Sequence, residues 1–150
     1  MRASFSVGTV HATAGGTVLS VTLPRRPNMT TQRLTFGRAA PTIPVSDIDR
    51  ALGFYRDVLG MTITFTNGDP VGFAILERDD AEIHLTRVRD HHGGSWNVVH
   101  LLVSDAQALF DACARADVRV IKGVRDHDYG LRAFVIADPD GNRIDVGQRL

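Results

Sequence analysis

The chain has 150 residues, 17 basic and 17 acidic side chains, and a formal net charge of zero. A domain of this length buries enough surface to fold without cross-links, and its balanced charge provides no overall field to attract nucleic acid or an anionic membrane. Its single cysteine, Cys113, excludes an internal disulfide, and no stretch approaches the roughly 18 apolar residues of a transmembrane helix. These properties favour a cytoplasmic protein with a small-molecule partner.

The first 35 residues are predicted to lie outside the folded domain. Residues 1–28 are rich in Thr, Ala, Gly and Ser, with neither helical periodicity nor an unbroken apolar run. This composition argues against a signal peptide. We interpret residues 1–35 as a flexible N-terminal extension or arm, with Met29 as an alternative start, and residues 36–150 as a single domain.

The first half of the domain predicts a strand, a helix and three strands. The strand covers residues 40–45, Asp47 is the expected helix N-cap, and Gly60 has the residue type that ends helices. The three later strands are expected at residues 61–65, 71–77 and 82–88. The apolar face of the helix is predicted to contain Ile48, Ala51, Leu52, Tyr55, Val58 and Leu59.

The second half predicts the same order of elements. A strand at residues 98–103 precedes a helix that begins after Asp105, and strands follow at residues 118–121, 131–137 and 142–146. A polar loop is expected at residues 123–130, and Asp138-Pro139-Asp140-Gly141 is expected to form a tight turn. Cys113 falls on the apolar helix face, which indicates a buried thiol.

An internal repeat supports this duplication. Val45-Ser46-Asp47 recurs 58 residues later as Val103-Ser104-Asp105. With an offset of 61 residues, Phe73-x-Ile75 recurs as Phe134-x-Ile136, Asp79 as Asp140, and Ile83 as Ile144. Matching blocks in the same order predict two copies of one folding unit.

Alternation along the strands assigns two sheet faces. The apolar set predicted to pack under the helices comprises Ile43, Val45, Ile83, Leu85, Val99, Leu101, Val103, Ile144 and Val146. The opposite set comprises Ala40, Thr42, Glu82, His84, Thr86, Val98, His100, Arg143 and Asp145. The two offsets pair Ala40 with Val98, Thr42 with His100, and His84 with Asp145, so these positions converge if the two sheets face each other.

The repeated unit, with its segment 45–60 and the turn Asp138-Pro139-Asp140-Gly141-Asn142, resembles the vicinal oxygen chelate superfamily from about Phe36 to Gln148. The resemblance implies an α+β fold in which two βαβββ modules, residues 36–90 and 95–148, form a curved, partly open β-barrel-like cleft. The superfamily includes glyoxalase I, extradiol dioxygenases, epimerases, thiol transferases and drug-sequestering proteins. Fold alone therefore leaves the function open.

Metal-dependent members of the superfamily place His or Glu at four positions, which the resemblance assigns here to Ala40, His84, Val98 and Asp145. Ala40 and Val98 cannot bind a metal, whereas a catalytic divalent site needs about three protein ligands. No cofactor is therefore favoured. The alternative is a divalent metal bound by His84, Asp145 and the neighbouring His100.

The nearer resemblance is to the bleomycin resistance proteins, which lack the metal. Segments 83–87 and 130–135, followed by Asp138-Pro139, resemble that branch, and Pro41 lies where those proteins carry a proline that bends an N-terminal arm onto a partner subunit. The resemblance implies a homodimer with two equivalent clefts. Two departures are the zero net charge, where an acidic surface would attract a cationic drug, and His100, where an aromatic platform is expected.

The leading hypothesis is a homodimeric protein that sequesters an antibiotic-type small molecule without metal. Its cleft is predicted to be lined by Thr42, Phe73, His84, Trp96, His100, Tyr129 and Asp145. One alternative is a glyoxalase-like metal-dependent lyase, isomerase or dioxygenase that uses His84, His100 and Asp145. A structural or regulatory dimer is the third hypothesis. The histidines also have a structural interpretation, in which His84 bonds to Glu82 or Thr86, and Trp96 has one in which it packs against the barrel rim.

Overall fold

A computed structural model describes residues 8–14, 17–23 and 35–150, and the chain divides into two compact units, Met1–Gly37 and Arg38–Leu150. In the first unit, strands β1 (Gly8–Ala14) and β2 (Thr17–Leu23) pair antiparallel, with Ala14 opposite Thr17. The sequence prediction contained no strands here, although a Gly-Gly pair between two alternating runs is a hairpin signal. The flexible arm stays a prediction, and the alternative start at Met29 lies outside the described residues.

The second unit contains the two predicted βαβββ modules. The first consists of β3 (Thr42–Val45), α1 (Ile48–Asp57), β4 (Thr62–Asn67), β5 (Phe73–Arg78) and β6 (Ala81–Arg87). The second consists of β7 (Asn97–Leu102), α2 (Ala106–Arg115), β8 (Val120–His127), β9 (Leu131–Ala137) and β10 (Arg143–Arg149). Their four-stranded sheets have the equivalent orders β3-β6-β5-β4 and β7-β10-β9-β8. The predicted α+β fold is confirmed.

Both helices begin at the predicted N-caps. The Asp47 carboxylate accepts a hydrogen bond from the Arg50 backbone N–H at 3.0 Å, and Asp105 accepts one from Ala108 at 2.9 Å. These bonds satisfy amides that the first helical turn leaves unpaired. Within the described residues, neither helix is long and apolar enough to cross a membrane.

The core lies between each helix and the sheet face beneath it. The predicted apolar strand set is confirmed, since all of its members are buried or packed against the core cluster. Phe110 of α2 packs edge-on against Phe134 of β9, with ring centroids 5.3 Å apart. Cys113 is fully buried, and burial raises the pKa of its thiol, so the prediction of a buried thiol is confirmed.

The predicted loop at residues 123–130 is wrong for most of its length. Strand β8 runs to His127, and only residues 128–130 form the turn to β9. The strand pairs with β9 through two register irregularities and carries Lys122, Arg125 and Asp126. Charged residues and irregular pairing are common in edge strands, which protects them from pairing with other chains. Because these features interrupt the alternating pattern of a strand, the sequence did not predict β8 over its full length.

The repeated motifs Phe73-x-Ile75 and Phe134-x-Ile136 do not occupy equivalent positions in the two sheets. Ile75 lies opposite His84 in the first sheet, whereas Val135 lies opposite Asp145 in the second. Equivalent positions on β5 and β9 are therefore 60 residues apart, while those on β6 and β10 are 61 apart. The reason is that three residues, 139–141, separate the paired Asp138 and Asn142, whereas two, 79 and 80, separate the paired Arg78 and Ala81. Consequently Phe134 packs in the core, whereas Phe73 points away from it.

The longer turn, residues 138–142, joins the second module to the first. Asp138, Asp140 and Asn142 are all buried. The Tyr55 hydroxyl of α1 donates to Asp138 at 3.2 Å, and the Asn142 amide donates to the Pro44 carbonyl of β3 at 2.8 Å. Burial raises the pKa of Asp138, and hydrogen bonds from Asn142 partly oppose that rise. We call residues 138–142 the buried turn.

Asp140 extends the same connection to the start of α1 and to the linker between the modules. Its carboxylate accepts hydrogen bonds from the Ser46 backbone N–H at 3.0 Å and from the Arg50 guanidinium at 2.9 Å. Its carbonyl accepts from the Gly93 N–H at 2.7 Å. A Cβ atom at Gly93 would lie 2.0 Å from the Gly141 carbonyl carbon, so this close backbone approach requires glycine.

We expect Asn142→Ala to lower the free energy of unfolding by about 2–4 kcal/mol, because it leaves buried acceptors without partners. The Asn142 side chain hydrogen-bonds to Pro44, Asp138 and His91, each at 2.8 Å. Urea unfolding followed by circular dichroism measures the change. Asn97→Ala, at the exposed start of β7, is the matched control and should stay within about 0.5 kcal/mol of wild type. Equal losses in both variants would contradict a specific role for the buried turn.

Candidate functional site

Each sheet has a second face that points away from its helix. The first open face belongs to the sheet β3-β6-β5-β4, where one row across the strands contains Thr42, His84, Ile75 and Phe65. Phe73 and Thr86 form the next row. These residues alternate with buried residues such as Ala74, Leu76 and Leu85. Alternation therefore places the predicted site residues Thr42, Phe73 and His84 on one surface.

Three rings line up across this first open face. The Phe65 and Phe73 centroids are 6.4 Å apart, and those of Phe73 and His84 are 5.4 Å apart, both in edge-on geometry. Phe65 is 50% exposed. Aromatic faces and edges that remain accessible favour contact with another planar ring.

Beside these rings lies a charged network. His84 Nε2 lies 2.8 Å from Glu82 Oε1, as the structural interpretation of His84 predicts for one of its two possible partners. The Arg38 guanidinium lies 2.9 Å from the other Glu82 oxygen and 3.5 Å from Glu77. The hydrogen bonds from His84 and Arg38 lower the pKa of Glu82. His84 is thus an oriented polar group at the edge of an aromatic patch.

The second open face belongs to the sheet β7-β10-β9-β8. One row contains His100, Asp145, Val135 and Lys122, and the next contains Leu102, Gly147, Ala133 and Arg125. His100 Nδ1 lies 2.8 Å from Asp145 Oδ2. A Cβ atom at Gly147 would lie 3.0 Å from His100 Cε1, so the missing side chain makes room for the imidazole ring.

Trp96 and Tyr129 lie beside the second sheet, one before β7 and one after β8, and each is 69% exposed. The Trp96 ring lies against Gly94 and is largely exposed, which does not favour the interpretation in which it packs against the barrel rim. Tyr129 stacks on His127 with centroids 4.8 Å apart. The structure thus places Thr42, Phe73 and His84 on one open face, His100 and Asp145 on the other, and Trp96 and Tyr129 at the ends of strands.

The residues at the inherited metal positions do not fit a metal ion. Ala40 and Val98 have no donor atoms, and across residues 35–150 the structure brings together no group of three His, Cys, Asp or Glu side chains suited to a metal. The alternative set of His84, His100 and Asp145 is not assembled within the described chain, since His84 bonds to Glu82 and His100 bonds to Asp145.

Two depressions lie near the N-terminal end of α1. One, of about 440 Å³, is lined by Ser46, Arg87, Arg89 and Asp90. The other, of about 300 Å³, shares Ser46 and Arg87 with it. Neither includes a predicted site residue, so the predicted residues line open faces rather than these depressions.

Sequence analysis missed several residues of the open faces. Regular alternation along the predicted strand 61–65 puts Phe65 on the same face as Ile63, but a register shift between them moves Phe65 to the open face while Ile63 packs against the core. It also missed Lys122 and Arg125, since β8 was not recognised as a long strand. A bulge changes which face a side chain occupies without a clear signal in composition.

A family model described as the Glyoxalase/Bleomycin resistance protein/Dioxygenase superfamily matches residues 35–146. A bleomycin resistance protein of Geobacillus stearothermophilus is 27% identical over 131 residues, which cover 75% of this chain and 97% of the relative. A lactoylglutathione lyase of Haemophilus influenzae is 30% identical over 113 residues, which cover 67% of this chain and 84% of the relative.

Among solved structures, a bleomycin-binding protein complexed with bleomycin superposes with a TM-score of 0.65 at 22% identity. The match covers 77% of this chain and 100% of that protein, and it supports the shared fold. The predicted resemblance to the bleomycin resistance branch is confirmed. Since the family model covers both modules, the chain belongs to the glyoxalase/bleomycin resistance protein/dioxygenase superfamily.

Proposed function

We propose that the protein is a metal-independent homodimer that sequesters a small aromatic or antibiotic-type molecule. In this proposal, the ligand lies between the first open face of one copy and the second open face of the other. The observation that carries it is the complementarity of these faces. The first carries the carboxylates Glu77 and Glu82 with one cation, Arg38, beside them. The second carries the cations Lys122, Arg125 and Arg143 with one carboxylate, Asp145. Opposite charges favour a pairing of unlike faces.

The side chains on the two faces suit a flat ligand with a few polar groups. Phe65 and Phe73 supply aromatic contact on the first face, and Leu102, which is 56% exposed, supplies apolar contact on the second. His84 and Thr42 offer polar contacts on one side, while His100 and Asp145 offer them on the other. Small-molecule sites commonly combine a mostly apolar lining with a few convergent polar groups. Trp96 and Tyr129 are exposed enough to fold over such a ligand.

The relatives support drug binding but do not identify the drug. Relatives in Geobacillus stearothermophilus and Staphylococcus aureus are bleomycin resistance proteins. Bleomycin is bulky and cationic, however, and this chain has no excess of acidic side chains to attract it. We therefore expect an aromatic ligand with less positive charge than bleomycin.

The binding proposal predicts that a planar aromatic ligand stabilises metal-free protein. A ligand at a hundred times its Kd should add about 2.7 kcal/mol to the free energy of unfolding and raise Tm by roughly 8 °C. Thermal melting with a panel of aromatic antibiotics, with bleomycin and a planar aromatic sulfonate as two members, measures the shift. Phe73→Ala should weaken binding about tenfold, because it removes the central ring of the first open face.

Val120→Ala is the control for Phe73→Ala, because Val120 lies opposite the core residue Ile136 and so points away from the open face. Its ligand affinity should equal that of wild type. Equal loss of affinity in the two variants, or no stabilisation by any aromatic compound, would overturn the binding proposal.

The dimer proposal predicts a mass of twice 16.4 kDa in light scattering after size-exclusion chromatography. Arm exchange, if it forms the dimer, involves residues before Arg38, because Arg38 and Pro41 already bond to Glu82 and His84 of their own module. Removing residues 1–35 should then yield monomers.

Lys122→Glu combined with Arg125→Glu should weaken a dimer built from unlike faces, whereas Arg115→Glu at the end of α2 should not. A monomeric full-length protein would refute the proposed cleft.

A second candidate function is a glyoxalase-like metal-dependent enzyme, which the lactoylglutathione lyase relative favours. In that case His84 and Asp145, with His100, would have to exchange their present partners for a metal ion. Such an exchange costs the hydrogen bonds to Glu82 and between His100 and Asp145. The binding proposal requires no such rearrangement.

Elemental analysis of protein purified without chelator separates the two candidates. We expect far less than one metal ion per chain, because two of the four inherited positions hold Ala40 and Val98. His92→Ala, in the exposed linker, is the control for His84→Ala. One bound metal ion per chain that is lost in His84→Ala but kept in His92→Ala would refute metal-independent binding.

A further inference from the structure

We propose that His100 and Asp145 form a proton-accepting pair that selects ligands with an acidic hydroxyl group, such as a phenol or an enol, and binds them as anions. This inference rests on the proposed binding function and names the ligand chemistry of the second open face. It depends on hydrogen-bond geometry, on the apolar surroundings of the pair and on the charge of that face.

The hydrogen bond between the two side chains determines which imidazole nitrogen carries the proton. His100 Nδ1 lies 2.8 Å from Asp145 Oδ2, and an ionised carboxylate can only accept hydrogen bonds. Nδ1–H therefore donates the hydrogen bond to Asp145, and in the neutral form of the ring this leaves the lone pair on Nε2. Among residues 35–150, no side chain forms a hydrogen bond with Nε2 of His100. The His100 side chain is 41% exposed. Nε2 lies beside Gly147, 3.2 Å from where a Cβ atom of that residue would be, so this acceptor lies over the surface of the sheet.

Apolar residues neighbour the pair in the sheet, and of these Leu102 is 56% exposed whereas Val135 and Ala133 are buried. Val135 lies opposite Asp145 on the neighbouring strand, and Leu102 lies two residues beyond His100 on the same face of β7. Gly147 and Ala133 continue the surface beside Leu102. A polar pair on an apolar floor suits a ring system that carries one hydrogen-bond donor. Desolvation by such a ligand also strengthens the hydrogen bond that it makes.

The charges of the second open face favour an anion over a cation. Lys122, Arg125 and Arg143 lie on this face, and Asp145 is the acidic residue in the same rows. Lys122 is three strands from His100, or about 14 Å, which is within reach of the far side of a two- or three-ring ligand. A hydroxyl that loses its proton to Nε2 leaves an anion beside an imidazolium, which Asp145 in turn stabilises.

The proposed step is a simple proton transfer. The O–H bond of the ligand breaks, an N–H bond forms at His100 Nε2, and both electrons of the O–H bond remain on the ligand oxygen. Alcohols hold their proton too strongly for this transfer, and cationic amines would meet the positive side chains. Phenols and enols made acidic by electron-withdrawing groups, such as p-nitrophenol, satisfy both conditions, because their acidity approaches that of imidazolium.

Two measurements test the pair in the full chain. Long-range ¹H–¹⁵N NMR of the free protein should show a protonated Nδ1 and an unprotonated Nε2 at His100, assigned by comparison with His100→Ala. p-Nitrophenol is the ligand probe, because its anion absorbs visible light and its neutral form does not. At a pH where free p-nitrophenol is mostly neutral, binding to wild type should favour the anion by about tenfold.

His100→Ala and Asp145→Asn should abolish this ionisation, since the first removes the acceptor and the second removes the charge that holds the tautomer. Gly147→Ala should reduce it, because the new methyl group would displace the imidazole ring without removing it. His92→Ala is the matched control in the exposed linker and should ionise the probe as wild type does. Circular dichroism confirms that each variant is folded.

Three results would overturn the inference. They are a protonated Nε2 in the free protein, p-nitrophenol bound in its neutral form, and no binding of p-nitrophenol at millimolar concentration. None of these removes the broader binding proposal, which is tested separately by aromatic antibiotics and Phe73→Ala. If those ligands bind while p-nitrophenol stays neutral, sequestration stands and the role assigned to His100 is rejected.

Discussion

The arrangement of the two modules depends on a buried polar turn. Residues 138–142 place Asp138, Asp140 and Asn142 inside the protein, where each buried polar group needs a partner. Tyr55, Ser46, Arg50 and the Pro44 carbonyl provide most of those partners, and all belong to the first module. Hydrogen bonds are directional, so they fix the relative position of the modules more specifically than apolar contact does.

The turn also breaks the symmetry of the duplication. The corresponding turn of the first module is shorter, and the exposed residues Asp79 and Asp80 form it. The extra residue in the second hairpin shifts β9 relative to β5, so that Phe73 becomes part of an open face while Phe134 enters the core. The two open faces therefore differ in chemistry. One is aromatic and acidic, and the other is apolar and basic around a single histidine–aspartate pair.

This asymmetry matters for function because positions related by the repeat have acquired different partners. His84 corresponds to Asp145 and Thr42 corresponds to His100, yet His84 bonds to Glu82 while Asp145 bonds to His100. His84 and Asp145, which occupy positions that bind metal in other members of the superfamily, are thus held in local hydrogen bonds. In the binding protein that we propose, a cleft built from such faces would recognise shape, aromatic surface and a proton donor.

The sequence by itself determined the duplicated βαβββ fold, both helix caps, the core face of the strands and the pairing of His84 with Asp145 in the repeat. Those features follow from local periodicity and from residue types that a single strand or helix requires. Only the tertiary structure decided the faces of Phe65 and Phe134, the length of β8 and the partners of Asp140 and His100. These depend on bulges, on turn length and on contacts between distant segments, because a shift of one residue turns a side chain to the opposite face of a sheet.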